Sequence, residues 1–144
     1  MFEIQERFTT ALHNSARSWR LALDRRLKHL GVSQASWLTI AVVARADSAP
    51  SQSELAERLG VEGATMVAMI DRLVRVGLVI RVPSVTDRRV KKVALTENGT
   101  RLYASLKAEA DTFRREVLRA VDPESLRSAT ELLEQLQAIL DRPP

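Results

Sequence analysis

Residues 51–96 read SQSELAERLGVEGATMVAMIDRLVRVGLVIRVPSVTDRRVKKVALT, and the order of local signals in this stretch decides the fold. Ser51-Gln52-Ser53-Glu54 has the Ser-x-x-Glu spacing of a capping box. It predicts a short helix ending at Leu59. Gly60 and Val61 then make a tight turn, and a second helix is expected from about Gly63 to Val76, closed by Gly77. After Gly77 the helical period gives way to partial alternation. Residues 78–82 and 90–95 are rich in β-branched side chains and read as two strands, joined by the polar loop 83–89. Two short helices across a glycine-containing turn, followed at once by a hairpin, predict a winged helix-turn-helix.

On the N-terminal side, Ile4, Phe8, Leu12, Trp19, Leu23, Leu27 and Leu30 mark one long helix over 4–30, stopped at Gly31. Ser33 is a suitable cap for a second helix through Ala46. The run Trp37–Val43 is apolar over much of its circumference, as expected of a central helix. On the C-terminal side, Thr96 caps a long helix from Glu97 to about Ala120. Asp122 and Pro123 start another, as an N-cap acid followed by a proline at the first helical position. Leu126, Ala129, Leu133, Leu136 and Leu140 then form a short a/d seam. The expected fold class is therefore mainly α: a winged helix-turn-helix with a two-stranded β wing, flanked by long N- and C-terminal helices. We read 1–144 as a single domain, with the winged helix-turn-helix lobe over 33–96. Helices in 1–32 and 97–144 would bury their stripes against each other and against a second copy of the chain.

Composition narrows the function. With 45% hydrophobic and 28% charged residues, the chain is neither a disordered tail nor an integral membrane protein. Cysteine is absent, which excludes disulfides, thiolate catalysis and thiol redox sensing. The N-terminus carries acids where a signal peptide needs a basic then apolar start, so a cytoplasmic protein without a membrane partner is expected. The net charge of +4 matters less than its distribution. Between Arg81 and Lys92 lie five basic residues (Arg81, Arg88, Arg89, Lys91 and Lys92) and one acid, Asp87. That concentration points to a polyanionic partner. The histidines, His13 and His29, fall on one helix. No Ser/His/Asp arrangement, His-Glu-x-x-His or phosphate loop is present, so we expect no enzyme activity, catalytic residue, metal site or cofactor.

The wing motif carries a resemblance. Asp87-Arg88-Arg89, then Leu95-Thr96, Gly99 and Leu102, resemble the D-R-R…L-T-x-x-G-x-x-L run of the MarR family of bacterial transcription regulators. Leu55–Val61 and Asp71-Arg72-Leu73…Gly77-Leu78-Val79 resemble its helix-turn-helix and the exit from it. Arg17, Trp19-Arg20, Asp24, Arg26-Leu27-Lys28, Leu30 and Trp37-Leu38 resemble the SlyA-like branch. The resemblance implies a homodimer on a pseudo-palindromic duplex operator, with recognition helices in major grooves and wings in minor grooves. It implies a repressor released by a small aromatic carboxylate or phenol.

The DNA-binding residues expected on this basis are Ser51, Ser53, Glu62, Gly63, Ala64, Thr65, Met66, Ala68, Asp87, Arg88 and Arg89. Arg88, a long cation near a hairpin tip, suits the negative potential of a narrow minor groove. Asp87 can hold the neighbouring guanidinium planes, and Arg89 is expected to anchor the wing by an internal ion pair. Ser51 and Ser53 serve equally as helix caps. Met66 stands equally as a contact or as core, whereas Met69 reads as core. The recognition helix departs from the family: residues 62–70 contain no Arg, Lys, Gln or Asn, and Ala68 stands where many relatives carry Arg. Specificity could then come from thymine methyls, backbone amides, the wing or DNA shape. A winged-helix protein-interaction module with weak or no sequence-specific DNA binding is the alternative function. For the effector, His13, Arg17 and Arg20 on the first helix and Trp37 on the second offer cations and a flat apolar wall. The bland alternative is a solvated helix face and a core tryptophan.

Overall fold

Helix boundaries in the computed structural model, which describes residues 1–144, fall largely where local chemistry puts them. Helix α1 spans Phe2–Leu27 and passes through a 3₁₀ turn, Lys28–Leu30, to Gly31. The Ser33 hydroxyl accepts the Ser36 amide at 3.2 Å and opens α2, Gln34–Arg45. Ser51 does the same for α3, Gln52–Leu59, accepting from the Glu54 amide at 3.1 Å. Gly60 ends α3 at φ +64°, a left-handed conformation open to glycine without steric penalty. Helix α4 covers Gly63–Arg75.

Strands β1, Val79–Pro83, and β2, Lys91–Leu95, pair antiparallel from Val79 opposite Leu95 to Pro83 opposite Lys91. Both begin one residue later than the sequence pattern suggests. At the root, the Val93 amide donates to the Pro50 carbonyl at 2.8 Å, and Ser51 bridges to Lys92. The wing is thus tied to the residues that open α3.

Thr96 closes the root from the other side. Its hydroxyl donates to the Gly77 carbonyl at 2.6 Å and accepts the Gly99 amide at 3.0 Å, capping α5, Glu97–Leu118. Gly99 is required by close approach. A Cβ there would lie 2.0 Å from the Leu78 carbonyl oxygen, inside any van der Waals limit. The Leu-Thr-x-x-Gly spacing therefore has a mechanical meaning: a cap and a gap that let α5 start against the wing.

Contacts divide the chain into two compact units, Met1–Ala110 and Asp111–Pro144. In the first, Leu27, Ile40, Leu55, Met66, Ile70, Val79 and Val93 form the buried centre. Arg26 Nε holds Glu109 at 3.2 Å, joining α1 to α5 within this unit. In the second, Asp122 caps α6, Pro123–Leu140. The Ser125 amide and hydroxyl donate to the Asp122 carboxylate and hold its pKa below the ordinary value. Helix α6 has no buried residue, and Leu133 and Leu140 on its seam are exposed. No helix is long and apolar enough to cross a membrane.

Candidate nucleic-acid interface

Helix α4 has two chemically distinct faces. Met66, Met69, Ile70 and Leu73, spaced by three and four residues, are buried. Ala64, Thr65, Val67, Ala68, Asp71, Arg72 and Arg75 lie on the exposed side. Met66 is 2% exposed, so it belongs to the core and is withdrawn from the expected contact residues. It also helps line an apolar cavity of about 120 Å³ between α2, α3 and α4, with Leu38, Thr39, Leu59, Thr65 and Met69. The outward side of the first two turns carries one hydroxyl, Thr65, and otherwise only small or apolar groups. Glu62 sits at the N-cap position, exposed, and its side chain caps no amide. The first amides of the helix remain open to an external acceptor.

Arg81 ties this helix to its neighbours. Its guanidinium reaches Asp71 Oδ1 on α4 at 2.6 Å, Gln52 Oε1 on α3 at 2.7 Å and the Val67 carbonyl at 3.4 Å. Arg81 counts toward the basic cluster in the sequence. In the fold it is spent on a clamp joining β1, α3 and α4.

The wing tip is organised by short-range bonds. The Asp87 carboxylate accepts the Arg89 amide at 3.0 Å and Arg89 Nε at 3.3 Å. Ser84 Oγ accepts the Thr86 amide at 3.3 Å. Asp87 thus holds Arg89 and not Arg88. Arg88 is exposed and makes neither a hydrogen bond nor an ion pair. A guanidinium left unpaired at the end of a hairpin is available to an external anion.

Comparison with known proteins finds relatives of this fold. The model of the MarR family matches residues 30–90. The transcriptional regulator PA3341 is 40% identical, with 93% of this chain and 98% of that one covered and a TM-score of 0.84. The chain belongs to the MarR family. It is accordingly a transcriptional regulator. Two more distant structures share the fold. Staphylococcus aureus MarR, solved in complex with salicylate and kanamycin, is 18% identical over 96% of this chain and 93% of that one, at a TM-score of 0.85. CouR from Rhodococcus jostii RHA1, solved bound to p-coumaroyl-CoA, is 21% identical over 90% of each chain, at 0.74.

The remaining expected site residues fall as follows in this MarR-family chain. Ser51 is 8% exposed and engaged as a cap, so it offers no free hydroxyl; Ser53 is exposed. Gly63, Ala64, Thr65 and Ala68 share the open side of α4. His13, Arg17 and Arg20 line one groove along α1, together with Leu12, Leu21 and Gln34 of α2. Trp37 does not line that groove. It is half-buried, and its indole Nε1 is buried without a hydrogen-bond partner. Sequence reasoning missed Val67 and the Arg81 clamp. The period of two along a strand, which puts Arg81 on the same face as Val79, could have flagged that Arg81 points toward the helices.

Proposed function

We propose that this chain is a homodimeric, DNA-binding repressor acting in the cytoplasm and released by a small aromatic or phenolic effector. The observation that carries the DNA-binding reading is the unpaired Arg88 at the end of a firmly rooted hairpin, beside an α4 whose outer side is free. The exposed leucines of α6 and the exposed Phe2 and Ile4 of α1 support burial against a second copy. On this reading the domain is one functional piece, with the lobe of 33–96 on DNA and helices of 1–32 and 97–144 in the dimer. Two recognition helices would enter major grooves about 34 Å apart on a pseudo-palindromic operator. Ser53 would face the duplex at the start of α3, Glu62, Gly63, Ala64, Thr65 and Ala68 at α4, and Asp87, Arg88 and Arg89 at the wing. The residues quoted above from Arg17 to Leu38 support a place in the SlyA-like branch. Sequencing genomic fragments retained by the protein, followed by titration of one fragment at two salt concentrations, tests this reading. Binding that falls steeply with salt is expected from phosphate contacts. A protein that retains no duplex at either salt concentration overturns it.

The effector reading rests on the groove that brings His13, Arg17 and Arg20 together. A guanidinium there can take a carboxylate bidentately. The salicylate bound to S. aureus MarR and the p-coumaroyl-CoA bound to CouR make an aromatic acid or its ester a reasonable class here. Ligand would favour dimers whose recognition helices are mis-spaced for successive grooves, and coupling of ~1–3 kcal/mol suffices for release. Arg17→Ala should keep operator binding and lose most of the release by salicylate. Undiminished release removes Arg17 from the site.

One observation favours a second reading, a protein-interaction winged helix: the outer side of the first two turns of α4 lacks the amide and charged groups that ordinarily read bases. The same fragment titration separates the two, since an interaction module shows little duplex affinity at either salt concentration.

A further inference from the structure

We infer that the recognition helix reads thymine 5-methyl groups through an apolar tip formed by Ala64, Val67 and Ala68, and not by bidentate hydrogen bonds to base edges. The inference rests on the reading that α4 enters the major groove of duplex DNA. At 100° per residue, the buried Met66, Met69, Ile70 and Leu73 define the inner side of α4. The outer side of its first two turns is then Ala64, Thr65, Val67 and Ala68, all exposed. Val67 keeps 40% of its surface open, much as Val74 does at 38% toward the far end of the same helix. Among the features that base pairs present in the major groove, the thymine methyl is the one that an apolar side chain complements. The single hydroxyl of Thr65 supplies neither the two donors that guanine N7 and O6 require nor the donor and acceptor on separate atoms that adenine requires.

The surroundings fit nucleic acid better than an apolar protein groove. Arg72 and Arg75 are exposed toward the far end of α4, and Arg88 stands unpaired on the wing. The one acid on the outer side, Asp71, is matched by Arg81 at 2.6 Å and so is not left to repel phosphate. Glu62, ahead of the helix, is an acceptor only and can meet a cytosine amino group but no phosphate. An apolar tip within a cationic frame is what a groove floored by methyl groups and walled by phosphates complements.

Register is supplied too. Apolar contact has no directional bond to fix it, so the helix must be held in place by other means. Arg81 Nη2 donates to the Val67 carbonyl at 3.4 Å and its Nε to Gln52 at 2.7 Å, pinning the backbone of α4 beneath the tip.

The test uses the full-length dimer and a duplex selected from a random pool by the wild-type protein. Thymines in that duplex are replaced by uracil, which removes the 5-methyl groups and keeps every Watson–Crick and groove polar atom. Each contacted methyl should be worth roughly a fourfold change in affinity, so one per half-site gives roughly 15-fold for the dimer. Val67→Ala should bind the thymine duplex less well and shrink the thymine-to-uracil ratio toward one. Val67→Thr keeps the side-chain shape while exchanging a methyl for a hydroxyl, and it should shrink the ratio in the same way even if the alanine variant folds poorly. Equal wild-type affinity for thymine and uracil duplexes overturns the inference and leaves DNA binding intact. Equal losses on both duplexes in the two Val67 variants make the valine structural and overturn it as well. Failure to select any duplex overturns the DNA-binding reading, and this inference with it.

Discussion

The root and the tip of the wing belong to one hairpin but are built on opposite terms. At the root, backbone and side-chain groups are matched to neighbours distant in sequence: Val93 to Pro50, Thr96 to Gly77, and Gly99 fitted against Leu78. At the tip, the bonds run between residues a few positions apart, Ser84 to Thr86 and Asp87 to Arg89, and Arg88 is left with none. A cation can serve an external anion only if its own protein has not already paired it. It can serve with useful precision only if its platform does not move. The hairpin meets the first condition at one end and the second at the other.

Substitutions at the two ends should therefore separate stability from binding. Gly99→Ala forces a Cβ to within 2.0 Å of a backbone carbonyl, so α5 or the root must shift. A loss of at least about 3 kcal/mol in unfolding free energy is expected, measured by urea denaturation. A melting curve like that of the wild type would show that the root is softer than its geometry implies. Next in size, Arg88→Ala should cost ~1–3 kcal/mol of operator affinity while leaving the denaturation midpoint unchanged, because the side chain has no internal partner. Unaltered affinity by fluorescence anisotropy would take the wing out of binding.

Thr96→Val keeps the shape but removes a cap and a bond to Gly77, and should destabilise by about 1 kcal/mol. Binding per folded molecule should not change; a selective loss of affinity would mean that the root tunes the tip. Arg89→Ala should have the smallest effect on stability, under about 0.5 kcal/mol, because the Arg89 side chain is 91% exposed and its pair with Asp87 is screened by water. A larger drop in melting temperature would show the tip to be stiffer than a solvent-screened pair allows.

Much of this molecule is legible in one dimension because its signals are local. The Ser33, Ser51, Thr96 and Asp122 caps each act on an amide three residues away, so spacing alone reveals them. The glycine stops and the change from helical to alternating period give the element order in the same way. The sequence was less able to orient α4. Its first two turns are small or apolar nearly all round, so period alone leaves Met66 equally inside or outside and gives no reason to single out Val67. Packing against α2 and α3 decided it. Likewise, Arg81 looks like one of five cations in a basic cluster until Asp71 and Gln52, from two other helices, are brought to its guanidinium. Trp37 looks like a partner for Arg17 and Arg20, yet it is not among the residues that line their groove. The sequence by itself determined where elements start and stop, since those bonds span one helical turn. Which side chains end up paired, buried or left free was decided only by the tertiary structure, because their partners come from elsewhere in the chain.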